Sequence, residues 1–171
     1  MPAKKYLRSA TTGYPTEQAA TVVSTGVTNG GDVVALDDTG RLDSSVLPVG
    51  IGADVAILAA TEALTAGDFV NVYSNAGAFS ARKADASNTG KEAHGYVLAA
   101  VTSGANATVY FDGRNTSVTG MTPGPVFLSA TNPGKATSTC PTGSGQLQQR
   151  IGVAVAATEV NFEAVTPIVL A

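Results

Sequence analysis

The sequence predicts an all-β protein: a compact β-sandwich or barrel with an internal duplication, preceded by an extended N-terminal arm. Three observations carry this. Thr (21) and Val (20), whose branched Cβ suits a pleated strand, run through the 171 residues, and 19 Gly punctuate them. No window of 12 residues shows helical periodicity, whereas short apolar runs of strand length alternate with turn residues. Finally, glycines recur at one offset of 57 residues in the second two-thirds of the chain.

The arm spans 1–52. It holds four cationic residues (Lys4, Lys5, Arg8, Arg41) and five acidic ones (Glu17, Asp32, Asp37, Asp38, Asp43), with Tyr6 and Tyr14 as its only aromatics. Gly26, Gly30, Gly31, Gly40, Gly50 and Gly52 interrupt every candidate element. Short strands are expected at Ala20–Val23 and Asp32–Leu36, and a hinge at Pro48–Gly52. With so few large apolar residues the segment cannot build its own core and is expected to pack on something else.

The β-domain spans 53–171. Expected strands are Val55–Ala60, Phe69–Tyr73, Ala78–Arg82, Gly95–Val101 and Ala107–Phe111, with Asn75-Ala76-Gly77 as a hairpin turn and 85–92 as an exposed loop. The same grammar returns in Val126–Ser129, Lys135–Thr139, Ile151–Ala157, Val160–Phe162 and Ile168–Leu170, with a turn at Asn132-Pro133-Gly134. The 57-residue shift lays Gly67 on Gly124, Gly77 on Gly134 and Gly95 on Gly152. These are a hairpin entry, a hairpin turn and a strand head, where backbone freedom or close approach is needed. Repeat-like halves are therefore expected near 65–111 and 122–168, packed as one sandwich or barrel.

Composition excludes several functions. The net charge is −3 and no basic run extends beyond Lys4-Lys5, so a clustered phosphate-binding face is missing and no nucleic-acid partner is expected. A single cysteine, Cys140, permits neither an intramolecular disulfide nor a cysteine zinc site. No run approaches 18 apolar residues, so no helical membrane span is expected, and the residues after Lys4-Lys5 do not read as a signal peptide. Only 13% of residues are charged while 44% are hydrophobic, a surface better suited to being covered by a partner than to a free monomer.

No catalytic, cofactor or metal site is expected from the residues. The lone histidine, His94, stands at a strand head and is read as half-buried rather than as the base of a Ser-His-Asp site. Ser80-Ala-Arg-Lys83 matches a Ser-x-x-Lys string but lies on a strand, where its ends do not meet, and Arg82-Lys83 reads as a solvated strand end. The acids Asp32, Asp37, Asp38 and Asp43 do not follow calcium-loop spacing, and Asp38-Thr39-Gly40 is better read as a β-turn. No glycine-rich phosphate loop is present. Asn106-Ala-Thr108 and Asn115-Thr-Ser117 match the glycosylation pattern, which carries weight only in a secreted chain.

Two stretches carry a family resemblance. Ala35-Leu-Asp-Asp-Thr-Gly-Arg-Leu-Asp-Ser-Ser-Val-Leu-Pro48 resembles a segment of tailed-bacteriophage fibre and appendage proteins found near trimeric regions. Ala66-Gly-Asp-Phe-Val-Asn-Val-Tyr73, Gly95-Tyr-Val-Leu-Ala-Ala-Val101 and Ala107-Thr-Val-Tyr-Phe-Asp-Gly113 together resemble phage capsid decoration (cement) and head-fibre proteins. The resemblance implies a virion structural protein without enzymatic activity, made in the bacterial cytoplasm and sited on the capsid exterior. It implies a homotrimer whose partner is the major capsid protein, with the arm serving attachment or trimerisation. By residue type, Tyr6, Leu7, Val46, Leu47 and Ile51 are the expected apolar anchors of that arm. Alternatives are a tail or collar component, a carbohydrate-binding β-module and a small hydrolase centred on His94. A host-surface glycan as partner stays open.

Overall fold

The computed structural model describes residues 4–9, 13–47 and 52–171, and the chain divides into two compact units, Met1–Gly52 and Ala53–Ala171. The fold is all-β: strands make up both units, and the only helical pieces among the described residues are two single 3₁₀ turns, Val27–Asn29 and Ser44–Val46.

Unit 1 is built on a hairpin of β1 (Lys5–Ser9) and β2 (Pro15–Ala19), paired from Lys5↔Ala19 to Ser9↔Pro15. Neither strand is evident from composition, because Lys, Arg, Glu and Gln fill them and no apolar alternation marks them. The strands expected at Ala20–Val23 and Asp32–Leu36 reduce to one parallel bridge, Thr21↔Val34, held by Thr21 N–H to Val33 O (2.9 Å) and Ala35 N–H to Thr21 O (2.9 Å). Polar side chains do the rest of the ordering. The Asp32 carboxylate accepts from Thr21 Oγ1, Asn29 Nδ2 and Gln18 Nε2. Asp37 accepts from Thr39 N, Thr39 Oγ1 and Arg41 N, closing a β-turn in which Gly40 stands at φ +80°. Asp43 caps the second 3₁₀ turn through Ser45 N. The hinge expected at Pro48–Gly52 lies, except for Gly52, outside the described residues.

Unit 2 contains two sheets with one strand order. The first half supplies β3 (Val55–Ala60), β4 (Phe69–Asn75), β5 (Ala78–Lys83), β6 (Gly95–Tyr96) and β7 (Asn106–Tyr110), and these close into a barrel in the order β3-β5-β4-β6-β7. Closure comes from β3, antiparallel to β7 on one side and parallel to β5 on the other through Ala59↔Ser80 and Ala60↔Ala81. The β4–β5 hairpin turns at Ala76 (φ 51°) and Gly77 (φ 88°), the two positive angles of a type I′ turn.

The second half supplies β8 (Gly113–Asn115), β9 (Gly124–Leu128), β10 (Ala136–Thr137), β12 (Arg150–Ala156) and β13 (Glu159–Phe162), in the order β10-β9-β12-β13-β8. Strand for strand this is β5-β4-β6-β7-β3 again. A small separate pair, β11 (Leu147–Gln148) with β14 (Ile168–Val169), completes the unit. The pairings equate Val70–Gly95 with Val126–Gly152 and Tyr96–Tyr110 with Val153–Asn161. One gap-free offset therefore suits Gly95 and Gly152 but not every strand. The second hairpin turns through Ala130–Gly134 rather than two residues, and β12–β13 turn directly where the first half has a longer loop.

Gly95 and Gly152 do the same work. A Cβ on Gly95 would lie 2.5 Å from Tyr110 O and 2.8 Å from Val109 Cγ1; one on Gly152 would lie 2.0 Å from Asn161 O and 3.1 Å from Val160 Cγ1. In each half the middle strand presses its backbone onto the next strand, and only hydrogen fits.

The halves differ in closure. In the second sheet β8 and β10 do not pair. The chain after β8 leans on the first half instead. Asn115, fully buried, donates from Nδ2 to Gly67 O (3.0 Å), and the backbone at Ser117 lies so near Gly67 that a Cβ there would sit 2.1 Å from Ser117 O.

Two cores result. The barrel interior holds Ala60, Leu64, Val70, Ala81, Val97, Ala107 and Val109. A five-stranded barrel is narrow, so small and β-branched residues fill it. The larger core joins the halves, where Phe69 and Tyr96 on the outside of the barrel meet Phe162, Val126, Leu128, Ile151 and Val160. Phe69–Phe162 and Tyr96–Phe162 ring centroids are 5.8 and 5.5 Å apart. Burial pushes the Tyr96 phenol above its ordinary pKa, with Tyr110 and Asp112 acting in the same direction.

Candidate functional site

Unit 1 is the candidate interaction surface because of what it fails to bury. None of its described residues is buried, yet nine large apolar side chains are exposed, among them Leu7, Tyr14, Val23, Val27, Leu36 and Leu42. Val27 is 99% exposed on its 3₁₀ turn and Tyr14 78% exposed at the hairpin, so unit 1 leaves both side chains largely uncovered.

The expected anchors are placed as follows. Tyr6 and Leu7 are neighbours on β1 and so point to opposite faces of the hairpin. Tyr6 shares its face with Gln18, its cross-strand partner, and Gln18 Nε2 donates to Asp32; the Tyr6 hydroxyl oxygen is buried without a hydrogen-bond partner among the described residues. Leu7, opposite Glu17, is 73% exposed between the Lys5–Glu17 ion pair and Arg8. Val46 ends the second 3₁₀ turn half-buried, lining a small cleft with Thr21, Ser24, Asn29, Asp32, Val34 and Ser45. Leu47 follows it at the surface. Ile51 lies outside the described residues. The anchors thus do not form one cluster. Leu7 and Leu47 belong to the exposed apolar set, and Tyr14, Val23 and Val27 are members that residue type could have suggested equally well.

The surface carries charge in fixed places. Hydrogen bonds hold three carboxyls below the ordinary Asp range: Asn29 and Thr21 act on Asp32, Arg41 N–H and Thr39 on Asp37, and Ser45 on Asp43. All three acids are therefore engaged in turns and caps. Among the described residues no group of His, Cys, Asp and Glu is arranged to hold a metal ion.

In unit 2 the residues considered for chemistry are tied to the backbone. His94 Nδ1 accepts from Val72 N–H (3.0 Å) and Nε2 faces Glu92 Oε1 at 3.6 Å, with no hydroxyl or thiol bonded to the ring among the described residues. The neighbouring cleft is walled by Phe111, Phe162, Val165 and Pro167. Arg82 and Lys83 are not a solvated strand end. Arg82 stacks 4.1 Å over the Tyr73 ring and donates to Asn71 Oδ1 and Gly90 O, and Lys83 approaches a buried carboxylate. The 85–92 stretch is exposed only in part, since Asp85 and Ala86 are buried.

That carboxylate, Asp68, stands in the Ala66–Tyr73 stretch, where nothing in the residue pattern announces a buried, lysine-paired acid. Fully buried, it accepts from Thr65 N and Thr65 Oγ1 (both 2.8 Å) and pairs with Lys135 at 2.5 Å and Lys83 at 3.8 Å. Lys135 comes from the second half, so Asp68 joins the two sheets. Gln149 does likewise: Ala93 N–H donates to its Oε1 (2.7 Å), and its Nε2 donates to Ala93 O and Val165 O. Both groups are structural. No protein-family model, no curated protein and no solved structure matches the chain.

Proposed function

We propose that this protein is a structural component of a bacteriophage virion: a decoration, or cement, protein that binds the outer face of the capsid shell as a homotrimer and stabilises it. The observation that supports the reading is the contrast between the units. Unit 2 has two cores, whereas unit 1 buries no described residue and exposes nine large apolar side chains. A segment that buries so little within its own chain leaves its apolar side chains to be covered by neighbours, which suits an arm lying on a shell and on other copies of the chain.

Cementing needs buried area and no catalytic group; a standard interface removes about 1,600 Å² from water. A trimer that binds the assembled shell, and not its loose subunits, opposes opening by RT ln(1 + [L]/Kd) at each site, and three linked contacts multiply the effect. The major capsid protein and the chain's own copies are the partners in this reading, and the capsid exterior is its place of action.

The decisive experiment mixes purified protein with undecorated capsids and images the particles. Added density at regular shell positions is the expected result. A bare shell defeats the reading, and density confined to the tail transfers the protein to a tail or collar role. Light scattering after size exclusion is expected to give three times the chain mass, and a monomer removes the trimer. A variant lacking residues 1–50 is expected to keep the unit 2 fold and lose particle binding.

A further inference from the structure

We infer that unit 2 carries a strand-acceptor site: the open side of its second sheet takes an extended peptide segment of a partner protein, added parallel to β10. The first half shows what fills the corresponding place. There β3 lies parallel to β5, and Thr61 donates from N–H (2.9 Å) and from Oγ1 (3.3 Å) to Ala81 O. The pairings of the two hairpins make Ala136 the counterpart of Ala81 and place Val118 and Thr119, the continuation of β8, where β3 would close.

In the second half that closure is missing and a cavity of about 240 Å³ stands in its place. Its walls are the would-be closing residues, Ser117, Val118 and Thr119 on one side and Lys135 and Ala136 on the other. Lys135 and the Ser117 N–H are already bonded, but Ala136 on one side of the cavity and Val118 and Thr119 on the other have free backbone groups among the described residues. Ala136 lies opposite Leu128, whose N–H is committed to Gln149 O on the far strand; the pair is thus the non-hydrogen-bonded kind, and the N–H and C=O of Ala136 point away from β9 toward the open side. Val118 and Thr119 make no backbone hydrogen bond among the described residues. Two contacts with Gly67 hold the split open: the buried bond from the Asn115 side chain to Gly67 O, and the close approach of the Ser117 backbone.

An edge with free peptide groups and a preformed slot is the arrangement that β-augmentation uses, where main-chain bonds supply affinity and side-chain pockets supply selectivity. The slot is lined by Val118, Ala136 and Met121 with the hydroxyls of Ser117 and Thr119. It selects small apolar and hydroxyl side chains, as Ala59, Ala60 and Thr61 do in the closed half. The site does not depend on unit 1 or on capsid binding.

The probe is a fluorescent peptide carrying residues Asp54–Glu62, the strand that closes the first half, titrated into the full chain and read by anisotropy. Saturable binding is expected. A peptide N-methylated at Thr61, which cannot donate to the Ala136 carbonyl, is expected to bind about tenfold more weakly. Ala136→Pro, tolerated on an edge strand but lacking the N–H, is expected to abolish binding with little change in melting temperature. In the unaltered protein, hydrogen exchange at the Ala136 amide is expected to slow when the unmodified peptide is added. No saturation by about 1 mM peptide overturns the inference. So does binding that neither the N-methyl group nor Ala136→Pro weakens, or protection of the Ala136, Val118 and Thr119 amides without peptide, which means that the chain closes the split itself. None of these outcomes bears on shell binding, so the decoration reading stands or falls separately.

Discussion

Replacing Gly95 and Gly152 by alanine, one at a time, tests whether the two halves of unit 2 are held by the same contact. At Gly152 the new Cβ would sit 2.0 Å from Asn161 O, and φ there is +147°. A carbon–oxygen contact settles near 3.3 Å, so β12 and β13 must part by about 1 Å. β13 cannot give freely, because it also pairs with β8 through Val160↔Asn115 to Phe162↔Gly113, and Val160 and Phe162 are in the joint core. Overpacking costs about 1–3 kcal/mol, and each strand hydrogen bond stretched in the process adds about 1 kcal/mol, which places Gly152→Ala near 4 kcal/mol. Gly95→Ala meets Tyr110 O at 2.5 Å and Val109 Cγ1 at 2.8 Å, a milder clash with an ordinary φ, and is expected near 3 kcal/mol. Gly104→Ala is the reference: φ is +84° with nothing within 4 Å of the new atom, so only the left-handed backbone costs, about 1 kcal/mol. Thermal unfolding followed by circular dichroism reads the difference, at roughly 4 °C per kcal/mol for a unit of this size. The expected order of lost stability is Gly152→Ala, Gly95→Ala, then Gly104→Ala. If Gly152→Ala and Gly95→Ala melt no lower than Gly104→Ala, the close approach of the paired strands is not a constraint and the reasoning fails.

Removing Lys135 is expected to cost unit 2 about 2–4 kcal/mol, because it strips the nearest cation from the buried Asp68 carboxylate; chemical denaturation of Lys135→Met reads it, and Lys83→Met, whose amine is 3.8 Å away, is expected to cost less. Gln149→Ala leaves Ala93 N–H and O without partners in the joint core and is expected to cost about 2–3 kcal/mol in the same assay. Unit 1 is expected to loosen in acid. Asp32, Asp37 and Asp43 have folded pKa values below their unfolded ones, so their contribution is complete above about pH 5 and is lost as pH falls through the depressed values below about 4. Carboxyl and amide chemical shifts followed by NMR check this, and shifts at Thr39 and Arg41 that stay constant down to about pH 2 contradict it.

Much of unit 2 was legible because its strands are short apolar runs bounded by turn residues. Val55–Ala60 is β3 as expected, Phe69–Tyr73 is most of β4, and Asn75-Ala76-Gly77 is the type I′ corner. Where the pattern failed, the partner lay far away in sequence. Gly95–Val101 reads as one strand, yet only Gly95 and Tyr96 pair as a strand, because Val97 turns to bond Gly67 and Asp68 and the run rejoins a neighbour only at the Leu64↔Val101 bridge. β8 is too short and polar to show a period. In unit 1, β1 and β2 are polar on both faces, so alternation could not reveal them, whereas the absence of a self-sufficient core was plain from the scarcity of large apolar residues. Of the expected anchors, exposure selects Leu7 and Leu47, whereas Tyr6 turns to the opposite face of the hairpin from Leu7.

The sequence by itself determined the all-β class, the strand-forming runs of the second unit and the recurrence of glycine in its two halves, because backbone propensity and turn chemistry act over a few neighbouring residues. Only the tertiary structure decided that the first half closes while the second stays open, that Asp68 is buried between two lysines, and that Asn115 and Gly67 divert the chain. Those outcomes depend on which groups meet across stretches of intervening chain, as Ala60 and Ala81, Asp68 and Lys135 do, and as Gly67 and Asn115 do at a separation of 48. Local pattern carries no record of such meetings, since the same glycine permits a turn, a close approach or neither until its neighbour is in place.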